Sequence, residues 1–258
     1  LFTTTTHNFL IFFTNKGKCY RLKVYEIPEA GRQAKGTAIV NLLNITGDEK
    51  ITTVIPLKKF DEDLFLMAAT KLGVVKKTPL VEYDSSRRDG IIAINLEEND
   101  ELIGVQLTDG KQDLILVTAG GQAIRFAEEE ARPMARATKG VRGIKLIEDD
   151  FVVGMEVVRD EGELLVITAN GYGKRTPLGE YRQQARGGKG VFTVRPSERN
   201  GEIVGALVVR DGEEIMAISK EGIIIRIKVD EISSMGRTTQ GVTLMKMGEH
   251  DSVVSMAR

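Results

Sequence analysis

The chain has 258 residues, of which 41% are hydrophobic and 28% charged, and its formal net charge is −1. Such a composition places it among soluble globular proteins with one large domain or two ordinary ones, able to bury a real core. A single cysteine, Cys19, excludes a disulfide framework, and with only His7 and His250 a zinc cluster cannot be assembled.

Residues 1–6 read as a short strand, and the apolar run 10–13 as a strand buried on both faces. Thr14 and Gly17 bracket a tight turn, after which Tyr20, Leu22 and Val24 alternate with Arg21 and Lys23, the period of a strand with one wet face. The two strands and the turn make a β-hairpin, glycine supplying the positive φ of the reversal. Arg21 follows the turn glycine by four positions and Glu26 by nine, and a basic cluster, Arg32 and Lys35, leads to a second glycine, Gly36. A third strand is expected over residues 37–42, then an acidic turn, then a fourth strand over residues 51–57.

The same unit then recurs four times. Apolar runs at 64–69, 114–117, 164–167 and 215–218 lead to Gly73, Gly121, Gly171 and Gly222, each three residues after Thr70, Thr118, Thr168 or Ser219. The fourth-position base becomes Lys77, Arg125, Arg175 and Arg226, the ninth-position acid Glu82, Glu130, Glu180 and Glu231, and the second glycine Gly90, Gly140, Gly190 and Gly241. Third strands are expected at 91–96, 141–146, 191–194 and 242–247, and fourth strands at 102–107, 152–158 and 203–209, with 253–256 a further copy. Four strands in about fifty residues is the content of a propeller blade. The expected fold is therefore all-β, a single domain over residues 1–258, in modules of about 1–50, 51–101, 102–151, 152–202 and 203–258. The extra strand at each end suits a ring whose termini meet. With no tryptophan, the W-D signature of one large propeller class is missing.

Charge is unevenly placed. Between first and second glycines the five modules hold 21 basic and 11 acidic side chains, against 15 and 26 elsewhere. Equivalent stretches of a ring lie at equivalent radii, so the positive charge forms a belt suited to phosphates while the molecule stays nearly neutral. The fourth-position base and ninth-position Glu are expected to form an ion pair within or between blades. The cluster before the second glycine, by contrast, has no acid in step with it. Its members are Arg32, Lys35, Arg87, Arg88, Arg136, Lys139, Arg186, Lys189 and Arg237, and they are the expected DNA contacts. The sharpest version is Gln184-Ala185-Arg186-Gly187-Gly188-Lys189-Gly190, where Gly187 and Gly188 leave backbone N–H groups unshielded beside two cations. Plain solvated charge at hairpin tips, and a glycine turn with no ligand, are the bland alternatives. No P-loop is present, since G-K-[ST] and a following helix are missing. No catalytic constellation is visible.

Tyr20-Arg21-Leu22-Lys23-Val24-Tyr25-Glu26 through Leu43, N-G-Y-G-K-R-T-P at 170–177 and G-R-T-T-Q-G-V at 236–242 resemble the C-terminal domain of DNA gyrase A, over essentially the whole chain. The resemblance implies a β-pinwheel, a propeller-like ring whose blades exchange strands, with six blades in the intact family domain and five visible here. It implies a DNA-bending and DNA-wrapping role on a basic outer rim, supporting ATP-dependent negative supercoiling by a bacterial type II topoisomerase. Its partners would be double-stranded DNA, the breakage-reunion domain of the same polypeptide, and gyrase B, with no membrane. The cofactors ATP and Mg would act elsewhere in the holoenzyme, none in this fragment. The family's gyrase-A box reads Gln, Arg or Lys, Arg, Gly, Gly, Arg or Lys, Gly in its first blade. The nearest match here has Ala185 in second place and lies in the fourth visible module, so the chain reads as a fragment that begins after the true box. All five tyrosines fall within modules, which leaves the DNA-cleaving tyrosine elsewhere.

No apolar run approaches the roughly 18 residues of a membrane helix, and residues 1–10 have no signal-peptide pattern, so a cytoplasmic protein is expected, and the resemblance implies that it is bacterial and nucleoid-associated. Two other readings compete: the equivalent domain of topoisomerase IV, and a protein-interaction propeller with an apolar flat face.

Overall fold

The structure, a computed structural model, describes residues 2–85 and 89–258. Its strands are β1 (Phe9–Thr14), β2 (Lys18–Lys23), β3 (Ile51–Leu57), β4 (Phe65–Thr70), β5 (Val74–Pro79), β6 (Ile91–Ile92), β7 (Leu102–Thr108), β8 (Asp113–Thr118), β9 (Gln122–Ala127) and β10 (Val141–Arg142). The second half continues with β11 (Val152–Val157), β12 (Glu163–Thr168), β13 (Tyr172–Pro177), β14 (Val191–Phe192), β15 (Ile203–Val209), β16 (Glu214–Ser219), β17 (Ile224–Lys228), β18 (Val242–Thr243) and β19 (Val253–Ala257). Short 3-10 turns are the only helical elements among the described residues.

The strands form five antiparallel blades. Four have the orders β3-β1-β2-β6, β7-β4-β5-β10, β11-β8-β9-β14 and β15-β12-β13-β18, and the fifth is the three-stranded β19-β16-β17. Each complete blade therefore holds a central hairpin, the inner strand that follows it in the chain, and a two-residue outer strand lent from beyond the next hairpin. This exchange is what defines a pinwheel. Inner strands β3, β7, β11 and β19 line one cavity of about 470 Å³, with Thr53, Gln106, Met155 and Met256 on its wall.

The recurring turn is explained by bonds made at one place. In all five blades the turn glycine N–H donates to the carbonyl three residues back (Gly17 to Thr14 at 2.9 Å, Gly222 to Ser219 at 3.0 Å). The hydroxyl of that same Thr or Ser accepts the next N–H, as from Gln122 to Thr118 Oγ1 at 3.0 Å and Ile223 to Ser219 Oγ at 3.3 Å. The glycine takes φ between +73° and +85°. In the four complete blades its carbonyl then accepts an N–H from the next repeat: Ala93 to Gly17 at 2.8 Å, Gly143 to Gly73 at 2.7 Å, Thr193 to Gly121 at 2.9 Å and Leu244 to Gly171 at 2.8 Å. A Cβ on Gly121 would stand 1.8 Å from Val194 O, whereas one on Gly222 would meet nothing within 4 Å. Thus the motif serves both the hairpin and the seam between repeats.

The core lies between blades. Ile11 and Phe13 of the first blade pack with Leu66, Leu80 and Tyr83 of the second, and Ile115 and Val117 of the third with Leu164, Val166 and Tyr181 of the fourth. Each fully buried aliphatic or aromatic side chain there contributes about 1.5–3 kcal/mol relative to exposure.

Several expectations need correction. The third strands are only two residues long, because the chain leaves the ladder at once to bond the turn glycine of the preceding repeat. The first of them, at 37–42, is no strand but a 3-10 turn at Ile39–Asn41, since no hairpin stands beside it to pair with. Residues 2–6 are not a strand either, because β3 already occupies the inner position of the first blade. The fifth blade is one strand short of the expected four: among the described residues β17 has no outer neighbour, and Ile223 and Ile224 stay 52% and 60% exposed.

Candidate nucleic-acid interface

The loops that carry the basic clusters run into the outer strands, so residues 136–140, 186–190 and 237–241 lie along the outer rim of successive blades. Residues 32–36 precede the segment that forms no strand, and are exposed. Arg87 and Arg88 lie outside the described residues. Lys139 and Lys189 are exposed, while Arg136, Arg186 and Arg237 are half-buried. Lys139 forms an ion pair with Glu97 at 2.6 Å, and the two side chains are 65% and 56% exposed. Such a pair contributes at most about 1 kcal/mol and yields readily to a phosphate. Among the described residues no ion pair engages Arg32, Lys35 or Lys189.

Acids do keep step with the cluster, contrary to expectation, and they come from the ninth position of the preceding repeat. Glu82 accepts the Arg136 N–H at 3.2 Å, Glu130 the Arg186 N–H at 2.8 Å and Glu180 the Arg237 N–H at 3.0 Å. The sequence conceals this because the two partners stand more than fifty residues apart. The arginine side chains are also partly engaged: Nη1 of Arg136 donates to Ile92 O at 2.7 Å, that of Arg237 to Phe192 O at 3.0 Å, and that of Arg186 to Arg142 O. Each clamps the outer strand of the blade beside it. A guanidinium carries five N–H donors, so one bond leaves others for a ligand. Nε of Arg186 and Nε2 of Gln184 are buried without a partner among the described residues.

The fourth-position bases do form ion pairs, but with acids other than the ninth-position Glu. Arg125 meets Asp113 at 2.8 Å, Arg226 meets Glu214 at 3.5 Å, Arg21 meets Asp84, and Arg175 meets both Glu163 at 2.8 Å and Asp211. Asp113, Glu163 and Glu214 stand on the first hairpin strand, diagonally across the ladder from the base, within reach of a long side chain. Lys77 instead donates to Glu128 O at 3.1 Å.

The sequence matches the family described as DNA gyrase C-terminal domain, beta-propeller, at residues 8–58, 65–109, 112–159, 162–210 and 213–258. The chain belongs to this family. The DNA gyrase A protein of Clostridium acetobutylicum is 52% identical over 258 residues, and that of Halalkalibacterium halodurans 58%; each match covers 100% of this chain and 31% of the relative. The chain thus spans about a third of the length of these curated relatives. Among solved structures, the C-terminal domain of DNA topoisomerase IV superposes with a TM-score of 0.91 at 31% identity, covering 98% of this chain and 80% of that one. The DNA gyrase A C-terminal domain superposes at 0.85 and 28% identity, covering 98% and 83%.

Within this gyrase-type pinwheel, two groups of residues escaped the sequence reading. Arg142, Lys145, Arg195 and Lys246 are exposed and lie on or just after the outer strands, adding to the rim charge. A base recurs five positions after the second glycine in three modules, a signal visible in the sequence once the modules are aligned past that glycine. The second group is Lys76 and Lys174, three positions after their turn glycines and wholly buried. Lys174 Nζ donates to Gly236 O at 2.7 Å, Arg237 O at 2.6 Å and Thr239 Oγ1 at 3.1 Å. Lys76 Nζ donates to Ala93 O at 2.6 Å, Ala135 O at 3.2 Å and Arg136 O. Burial pushes both ammonium groups down to about 8, helped by the nearby Arg136 or Arg237 and opposed by Glu82 or Glu180, so they remain charged at neutral pH. Alternating hydrophobicity gave no hint of them, because they occupy positions where a core residue is expected.

Proposed function

We propose that this chain is the DNA-binding and DNA-bending domain of a gyrase A protein, guiding duplex DNA around its outer rim. The reading rests on one observation above the rest: cationic loops occupy the same outer position on successive blades, while acids hold their backbones from behind. Repeated Arg and Lys on turns meet phosphates without reading base edges, so binding is largely independent of sequence. The domain performs no bond chemistry itself. It presents a curved DNA segment to a breakage-reunion region, and with gyrase B and ATP hydrolysis supports negative supercoiling in the bacterial cytoplasm. No helix of the described residues is long and apolar enough to cross a membrane. The topoisomerase IV reading draws on the higher structural superposition, and the gyrase reading on sequence identities of 52% and 58%.

The test is a titration of duplex DNA at two salt concentrations. If about six phosphates are neutralised, affinity should fall by roughly three orders of magnitude between about 50 and 200 mM salt. An affinity indifferent to salt would rule the rim mechanism out.

A further inference from the structure

Three rim loops share an arginine and a closing glycine but differ between those residues: Arg136-Ala137-Thr138-Lys139-Gly140, Arg186-Gly187-Gly188-Lys189-Gly190 and Arg237-Thr238-Thr239-Gln240-Gly241. The difference follows the residue beneath each. Lys76 lies under the first and Lys174 under the third, whereas the middle loop packs over Ile124, whose Cδ1 would stand 3.5 Å from a Cβ on Gly188.

The loops differ, too, in which way one peptide faces. Arg136 O and Arg237 O point inward, to the ammonium groups. Carbonyl and N–H lie antiparallel across a trans peptide, so the N–H groups of Ala137 and Thr238 face away from the ammonium. Among the described residues neither has a hydrogen-bond partner. In the middle loop the same peptide is turned over. Gly187 N–H donates inward to Gly143 O at 2.8 Å, and the residue takes φ +81°, which Ala137 and Thr238 do not. Threonine accompanies lysine in both tethered loops, where Thr138 Oγ1 donates to Ala135 O at 2.7 Å and Thr239 Oγ1 to Gly236 O at 2.8 Å. The charged amine of Lys174 serves three acceptors, none of them a carboxylate, so a neutral core residue could not hold this arrangement.

We infer that Lys76 and Lys174 are positioning residues that turn the Ala137 and Thr238 N–H groups outward beside Arg136 and Arg237, creating two backbone subsites for a nucleic-acid phosphate that the middle rim loop lacks. An outward N–H next to a guanidinium suits a phosphate oxygen, since each bond to the anion is charge-assisted. The inference rests on the DNA-binding reading and adds specific atoms to it.

The experiment follows individual backbone amides by NMR and hydrogen exchange while a short DNA duplex is added to the 258-residue chain at low salt. The amides of Ala137 and Thr238 should shift saturably, and their exchange should slow about tenfold or more, as expected for one charge-assisted bond. The Gly187 amide, already bonded inward, should exchange slowly throughout. Lys174→Met should abolish the response of Thr238 and leave that of Ala137 intact, lowering affinity by about tenfold or less. Should that variant fail to fold, the wild-type contrast of Ala137 and Thr238 with Gly187 still decides the matter, as does Lys174→Ile with Thr238→Gly and Thr239→Gly, which should take the middle-loop form and lose the response. Duplex binding with no change at Ala137 and Thr238 overturns the subsites and leaves the DNA reading standing. A Lys174→Met chain that loses stability but keeps the Thr238 response shows the lysine to be merely structural. No binding at any salt removes the DNA reading itself, and the subsites with it.

Discussion

At the scale of single residues, the same side chain type does opposite work depending on what lies within a few ångströms. Gly171 and Gly222 have nearly the same φ, +79° and +84°, yet a Cβ on Gly171 would stand 2.0 Å from Met245 O and one on Gly222 would meet nothing. Gly222→Ala should therefore cost only left-handed strain, about 1–2 kcal/mol, and Gly171→Ala roughly 2–5 kcal/mol because the next repeat must also move. Denaturant unfolding of the two variants checks this, and equal losses would mean the seam tolerates displacement. Arginines divide similarly. Arg175 is held by Glu163, Asp211 and, at 2.7 Å, Ile232 O, and its side chain is only 13% exposed. Its replacement by alanine is expected to cost about 2–3 kcal/mol with little change in the salt slope of DNA binding. Lys189→Ala should do the reverse, leaving the melting temperature in place and lowering that slope by about one. Arg186→Ala belongs between them, since its side chain clamps Arg142 O as well as facing the rim. A slope that falls for Arg175→Ala and stays constant for Lys189→Ala would place the DNA over the hairpin strands.

At the scale of elements, the hydrophobic pattern made the hairpins plain and located the outer strands within 91–96, 141–146, 191–194 and 242–247, but gave neither their length nor their partners. Runs such as Leu164 to Ile167 are short but wholly apolar and ended by a Thr-x-x-Gly turn, so their type is decided locally. An outer strand of two residues, such as β14 or β18, is too short for a period to fix where it ends, and its partner is a hairpin of the preceding repeat. Because the core lies between blades, stability should propagate to neighbours first, as in other repeat folds. Leu164→Ala removes a wholly buried side chain from the cluster shared by the third and fourth blades and should cost about 2–5 kcal/mol. Hydrogen exchange ought then to accelerate in β8, β9, β12 and β13 before it does in the first blade. Uniform acceleration across all five blades would instead mean that the wheel opens only as a whole.

At the scale of the whole molecule, a near-zero net charge conceals basic loops on the outer rim with acids placed behind them, so a chain with more acidic than basic residues still presents cations along the path proposed for DNA. If DNA bends along that path, ligating nicked circles in the presence of the chain should trap writhe, and the topoisomers recovered should be displaced from those closed without protein. An undisplaced distribution alongside tight binding would mean contact without bending. What the sequence determined by itself was everything built from short-range chemistry: five repeats, the Thr-x-x-Gly hairpins, the inner strands, and the loops that carry charge. The tertiary structure decided which groups meet across repeats. Glu180 reaches Arg237, Lys174 reaches Gly236, and Gly171 receives Leu244, each over more than fifty residues of chain. Such contacts arise only when one repeat docks on the next, and no periodicity within a repeat encodes them.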